Sequence, residues 1–87
     1  MRIPYLVMVH PFMVDRTLDA SGLRCPMPLL KTKLELNGML PGEKLEVIAT
    51  DAGSARDIPA FLELSRHRLV NSSETEGHYR FVIECGG

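Results

Sequence analysis

"GLRCPMPLLKTKLEL", residues 22–36, decides how this chain is read. Pro26 and Pro28 stand at the head of a segment that otherwise has helical spacing. Proline is tolerated in a first helical turn, where the amides have no intrahelical acceptor and the fixed φ is already helical. The spacing predicts a helix from Pro26 to about Asn37, stopped at Gly38. Cys25 then falls at or beside the N-cap, where unpaired amides and the positive end of the helix dipole gather. With Pro26 and Pro28 lacking N–H groups, Met27 and later residues must supply most of that field, and Arg24 and Lys31 add positive charge. Such surroundings favour thiolate, the nucleophilic form, so a lowered Cys25 pKa is the expectation. The plain alternative is a small residue at a helix start with no chemistry.

Outward from this helix the pattern alternates. "RTLDA" (16–20) is a strand candidate and "SGLRC" (21–25) a loop. Pro41-Gly42 is a turn, and "EKLEVIAT" (43–50) places Leu45, Val47 and Ala49 at period two. "DAGS" reads as a turn. A second helix carries Ile58, Phe61, Leu62 and Ser65, with Ser54 and Asp57 as a capping box. Pro59 pushes the expected regular start of that helix toward Asp57. "RLVNSSE" (68–74) and "HYRFVIEC" (78–85) are strands joined at Glu76-Gly77, the latter with Tyr79, Phe81, Ile83 and Cys85 on one face. The order β-α-β-α-β-β predicts an α+β, two-layer α/β sandwich, with two helices packed on one face of a four-stranded mixed sheet. The expected division is an N-terminal extension, residues 1–13, forming a tail or an extra edge strand, and one domain over 14–87.

Composition narrows the function classes. The chain has 87 residues, a net charge of −1 and 45% apolar content, so it offers no bulk basic field for nucleic acid. No apolar stretch approaches the roughly 20 residues that span a bilayer. Pro4, His10 and Pro11 interrupt the apolar start, which argues against a signal peptide. Cys25 and Cys85 are the only cysteines, there is no CxxC, and His10, His67 and His78 are scattered; a reduced cytoplasmic protein without a metal or other cofactor is expected.

A thiol with no histidine or carboxylate fixed beside it by sequence lacks the base that hydrolysis needs. It suits exchange better: accepting sulfane sulfur as a persulfide and passing it on. The first helix adds a second feature. Leu29 and Leu36 lie on one side, while Met27, Leu30 and Leu34 lie nearly opposite, and one sheet cannot bury both stripes. The second stripe either packs on the second helix or forms an apolar docking strip for a partner beside Cys25, with Lys31 and Lys33 as steering charges or a solvated face.

"LDASGLRCPMP", "LPGEKLEV", "TDAGSARDIPAF" and "YRFVI" resemble the TusA/SirA family of small sulfur-carrier proteins, from about Leu18 to the C-terminus. The resemblance implies the βαβαββ sandwich also found in the C-terminal domain of translation initiation factor three. It implies that Cys25 carries the persulfide, with Pro26 and Pro28 as the motif prolines. It implies a pyridoxal-phosphate cysteine desulfurase or rhodanese-like donor, and a downstream acceptor such as a tRNA 2-thiolation relay; other branches serve molybdenum-cofactor synthesis or sulfur oxidation. Gly22, Asp51, Asp57 and Pro59 match family positions of structural type. Met27 stands where some members carry an acid. Cys85 is either a core thiol or a resolving cysteine for Cys25. Two rivals remain: a non-enzymatic interaction or regulatory module, and a carrier that works through a Gly86-Gly87 thiocarboxylate.

Overall fold

The structure is a computed structural model that describes residues 14–87; the extension expected over 1–13 lies outside the described residues. In chain order the elements are β1 (Arg16–Ala20), α1 (Met27–Asn37), β2 (Lys44–Ala49), α2 (Ala52–Glu63), β3 (Arg68–Thr75) and β4 (His78–Glu84). The sheet order is β1-β2-β4-β3. β1 runs parallel to β2, and β4 is antiparallel to both β2 and β3. β2 and β3 are therefore parallel to each other with β4 inserted between them, a split βαβ arrangement.

Period-two alternation sets the inner face. Leu45, Val47 and Ala49 of β2 register with Ile83, Phe81 and Tyr79 of β4. Leu45, Val47, Ala49, Ile58 and Ile83 are fully buried, and Leu36, Met39, Leu62, Phe81 and Cys85 complete the core. Burying a side chain of the Val, Leu or Ile size contributes about 1.5–3 kcal/mol, so this inner face dominates the stability of so short a chain. The outer face is tied by polar groups. Glu46 accepts from the Thr17 hydroxyl at 3.2 Å and pairs with Arg80 at 2.9 Å, and its register partner Val82 is buried although it points away from the helices.

Both helices differ from expectation in ways that bear on the site. α2 begins at Ala52, with Asp51 as N-cap, so "DAGS" is the head of a helix and not a turn. The Ser54–Asp57 capping box does not form; Asp51 accepts from the amide of Ser54 at 2.9 Å and from its hydroxyl at 3.1 Å. Ser54 is buried there, and Pro59 lies inside a helix that continues through it. One missing amide donor, at Pro59, is outweighed by Ile58 and Leu62, which fasten the helix to the sheet.

On α1 the buried residues are Pro28, Thr32 and Leu36, at i, i+4 and i+8. The Thr32 hydroxyl donates to the Pro28 carbonyl at 2.7 Å, so a polar side chain lies satisfied against the sheet. Leu29 is partly buried beside the core. Met27, Leu30 and Leu34 are 42%, 43% and 70% exposed, which overturns the alternative in which they pack on α2.

Candidate functional site around Cys25

Cys25 is exposed and Cys85 is buried, and both are free thiols. The β1–α1 loop that presents Cys25 is held from three sides. The Gly22 amide donates to the Thr50 hydroxyl at 2.8 Å, in a backbone conformation with φ +80° that glycine adopts freely. The Met27 amide closes a turn on the Arg24 carbonyl at 2.8 Å. The Cys25 amide donates to Asp51 Oδ2 at 3.3 Å, the oxygen that also caps α2. One carboxylate thus ties the heads of both helices together. Its pKa lies below the usual carboxylate value, chiefly because the Ser54 amide donates to it, with the Ser54 hydroxyl, the Cys25 amide and the charge of Arg24 acting in the same direction.

Pro26 is the N-cap of α1 and Cys25 precedes it; the Cys25–Pro26 peptide is cis, and α1 has no side-chain cap. Gly53, in the first turn of α2, lies against the cysteine: a Cβ at that position would stand 3.7 Å from Cys25 Cβ and 3.2 Å from Asp51 Oδ2. A side chain there would crowd the carboxylate, so glycine permits the close approach. Facing the thiol is Asp57, one turn further along α2, whose Oδ2 accepts from Cys25 Sγ at 3.4 Å.

The electrostatics reverse the sequence expectation. The Cys25 thiol is pushed above its ordinary pKa: the hydrogen bond to Asp57 acts first, then partial desolvation and the negative charges of Asp57 and Asp51, with Arg56 alone opposing. The head of α1 offers little to oppose the two carboxylates. Pro26 and Pro28 have no N–H, and the Met27 N–H is spent on the Arg24 carbonyl, so the head of α1 projects little positive field. Arg24 acts on Asp51, and the cation that acts on the thiol is Arg56, not the expected Arg24 and Lys31.

Neither of the described histidines comes to Cys25. His67 lies against Phe61, with ring centroids 6.2 Å apart, and accepts from the Gly86 amide at 3.0 Å; His78 Nδ1 lies 3.3 Å from the Glu76 carbonyl in the β3–β4 turn. A hollow of about 470 Å³ lies at the C-terminal ends of both helices, lined by Lys33, Asn37, Phe61 and Leu64 to His67, away from the thiol. Among the described residues no group of three His, Cys, Asp or Glu side chains could hold a metal ion, and no helix is long and apolar enough to cross a membrane.

Cys85 cannot resolve Cys25. Its Sγ donates toward the carbonyls of Leu36 at 3.6 Å and Met39 at 3.7 Å, at the far end of α1. The 11-residue helix between them is about 16 Å long, whereas a disulfide needs Cα atoms within about 7 Å. The core-thiol reading of Cys85 is the one the structure bears out. Gly86, one of the two glycines of the thiocarboxylate rival, is held by His67 in a place where a Cβ would collide with the Arg66 carbonyl.

Residues 16–85 match the family model described as sulfurtransferase TusA. This chain belongs to the TusA family. It is 47% identical over 70 residues to a sulfur carrier protein TusA of Allochromatium vinosum, covering 80% of this chain and 92% of that one. In fold it is similar to the crystal structure of a SirA-like protein from Desulfitobacterium hafniense. The TM-score is 0.72 at 23% identity, with 83% of this chain and 99% of that one covered. The α+β sandwich and the TusA/SirA resemblance read from the motifs both stand. Membership implies transfer of sulfur, and so a donor and an acceptor in general.

Asp57, Asp51, Arg56 and Gly53 are the neighbours that sequence reasoning did not place around Cys25. Their proximity arises from tertiary packing across 26 to 32 residues for the two aspartates, which no local pattern encodes.

Proposed function

We propose that this protein carries sulfane sulfur as a persulfide on Cys25. In the uptake step the Cys25 thiolate attacks the outer sulfur of a donor persulfide, the donor S–S bond breaks, and the donor leaves as its thiolate. In delivery an acceptor thiolate attacks the outer sulfur on Cys25, and Cys25 leaves as thiolate. No net oxidation occurs; the sulfane sulfur changes partner. A cysteine desulfurase or rhodanese-like enzyme is the donor, and the acceptor belongs to a tRNA 2-thiolation relay or another sulfur-trafficking pathway, in the cytoplasm. The observation that carries this reading is an exposed thiol at the tip of α1 in a TusA-family chain. The exposed Met27, Leu30 and Leu34, with Lys31 between them in sequence, supply an apolar strip beside it on which a partner can seat.

The test is intact-mass measurement after incubation with a cysteine desulfurase, cysteine and pyridoxal phosphate. The wild type gains one sulfur atom, Cys25→Ser gains none, and Leu34→Ser folds normally but loads more slowly at limiting desulfurase. Loading of Cys25→Ser would reject the reading. A pure interaction module predicts that Cys25→Ser keeps its function, and a thiocarboxylate carrier that loading requires Gly86 and Gly87.

A further inference from the structure

The contact between α2 and the thiol has a consequence for how the carrier is switched on. We infer that Asp57 is a positioning residue for Cys25: its carboxylate grips the unloaded thiol through the thiol proton and releases the sulfur toward solvent when that proton leaves. The inference rests on the carrier reading of Cys25 for its biological meaning, but its geometry stands apart from it.

Three observations carry it. Cys25 Sγ donates to Asp57 Oδ2 at 3.4 Å, and among the described residues this is the one side-chain hydrogen bond that either group makes. The backbone on both sides of the contact is fixed, since the Cys25 amide and the head of α2 share Asp51 Oδ2, and Gly53 lets the cysteine close on the helix. Asp57 and Cys25 also lack a cation clamped between them: the ion pairs among the described residues are Arg16–Glu35, Arg68–Glu84 and Arg80–Glu46, all elsewhere. A carboxylate can accept a hydrogen bond but cannot donate one, so the contact holds only while the sulfur carries its proton. Once the sulfur is anionic, as thiolate or as the anion of the more acidic persulfide, the same pair is a like-charge contact and is repulsive.

The charged groups that face the sulfur are Asp57 and Asp51, which hold the proton on, and Arg56, which favours its loss. Arg24, on the loop, acts through Asp51. These carboxylates favour the thiol form of the free carrier over the thiolate. A donor that places a cation against Asp57 would remove the brake at the moment of docking, and the loaded anion would be turned away from α2 toward an acceptor.

The experiment is the pH dependence of iodoacetamide alkylation of Cys25 in the folded chain, which needs no sulfur donor. Asp57→Asn keeps the shape, removes the charge and adds a donor that can stabilise thiolate. Its alkylation midpoint moves to lower pH and its rate at pH 7 rises at least about twofold, the gain being moderated because a less basic thiolate is a weaker nucleophile. Asp57→Glu retains a raised midpoint. Arg56→Gln moves the midpoint upward, and this second variant lies in the helix without touching the core. Unchanged thermal melting separates the effect from unfolding. An Asp57→Asn midpoint equal to or above wild type, or an Arg56→Gln midpoint that falls, overturns the inference. Failure of desulfurase loading with the shifts intact would reject sulfur carriage alone.

Discussion

The two cysteines sit at opposite ends of one helix and show how position decides what a thiol can do. Cys25 stands before α1, open to solvent, with a carboxylate on its sulfur. Cys85 lies under the last turn of α1, 5% exposed, with its sulfur turned to two backbone carbonyls. The first can meet another protein's sulfur; the second completes the core alongside Leu36, Met39 and Ile83. Exposure is what separates them: Cys25 is reachable and Cys85 is not, and the Asp57 hydrogen bond pushes the reachable thiol above its ordinary pKa, opposite to the expectation from the helix head.

The largest effect expected from this comparison is in alkylation of the native protein. Cys25 reacts and Cys85 does not, with rates separated by at least about 100-fold, because Cys85 needs local or global opening first. Equal rates, read by peptide mapping, would break the comparison. Next comes stability. Cys85→Ala leaves a methyl-sized void and lowers the unfolding free energy by about 1–2 kcal/mol in urea titration, while Cys25→Ala leaves the midpoint where it was. The smallest effect sharpens the Cys25 side alone. Asp51 has a depressed pKa in the folded state, so its contribution is present above the ordinary aspartate range and is lost as pH falls through the folded value. Asp51→Ala therefore melts a few degrees lower than wild type at pH 7, and the gap narrows below about pH 4. A gap that widens in acid would mean that Asp51 does not serve as the cap joining the two helix heads.

Much of this was legible from side-chain periodicity. β1 lies where "RTLDA" placed it, and the face carrying Tyr79, Phe81, Ile83 and Cys85 is the inner face. α1 follows from its prolines, although its buried side uses Pro28 and Thr32, residue types that a search for apolar stripes passes over. The head of α2 departs from the sequence pattern, in which Pro59 argues against an early start, because the Asp51 cap and the anchoring of Ile58 and Leu62 outweigh one lost amide. Within the site, the position of Cys25 was readable and its chemistry was not. The direction of its pKa depends first on the hydrogen bond to Asp57, 32 residues away, which is a fact of packing. The exposed stripe of Met27, Leu30 and Leu34 was visible as a pattern, but only the folded arrangement shows that α2 leaves it open.

The most direct test of the central claim is to locate the sulfur. After loading by a cysteine desulfurase, the protein is trapped with an alkylating reagent under native conditions, digested and mapped by mass spectrometry. The account predicts one added sulfur atom on the peptide bearing Cys25 and none on the peptide bearing Cys85. Sulfur on Cys85, or on neither cysteine while the intact protein is loaded, would contradict it.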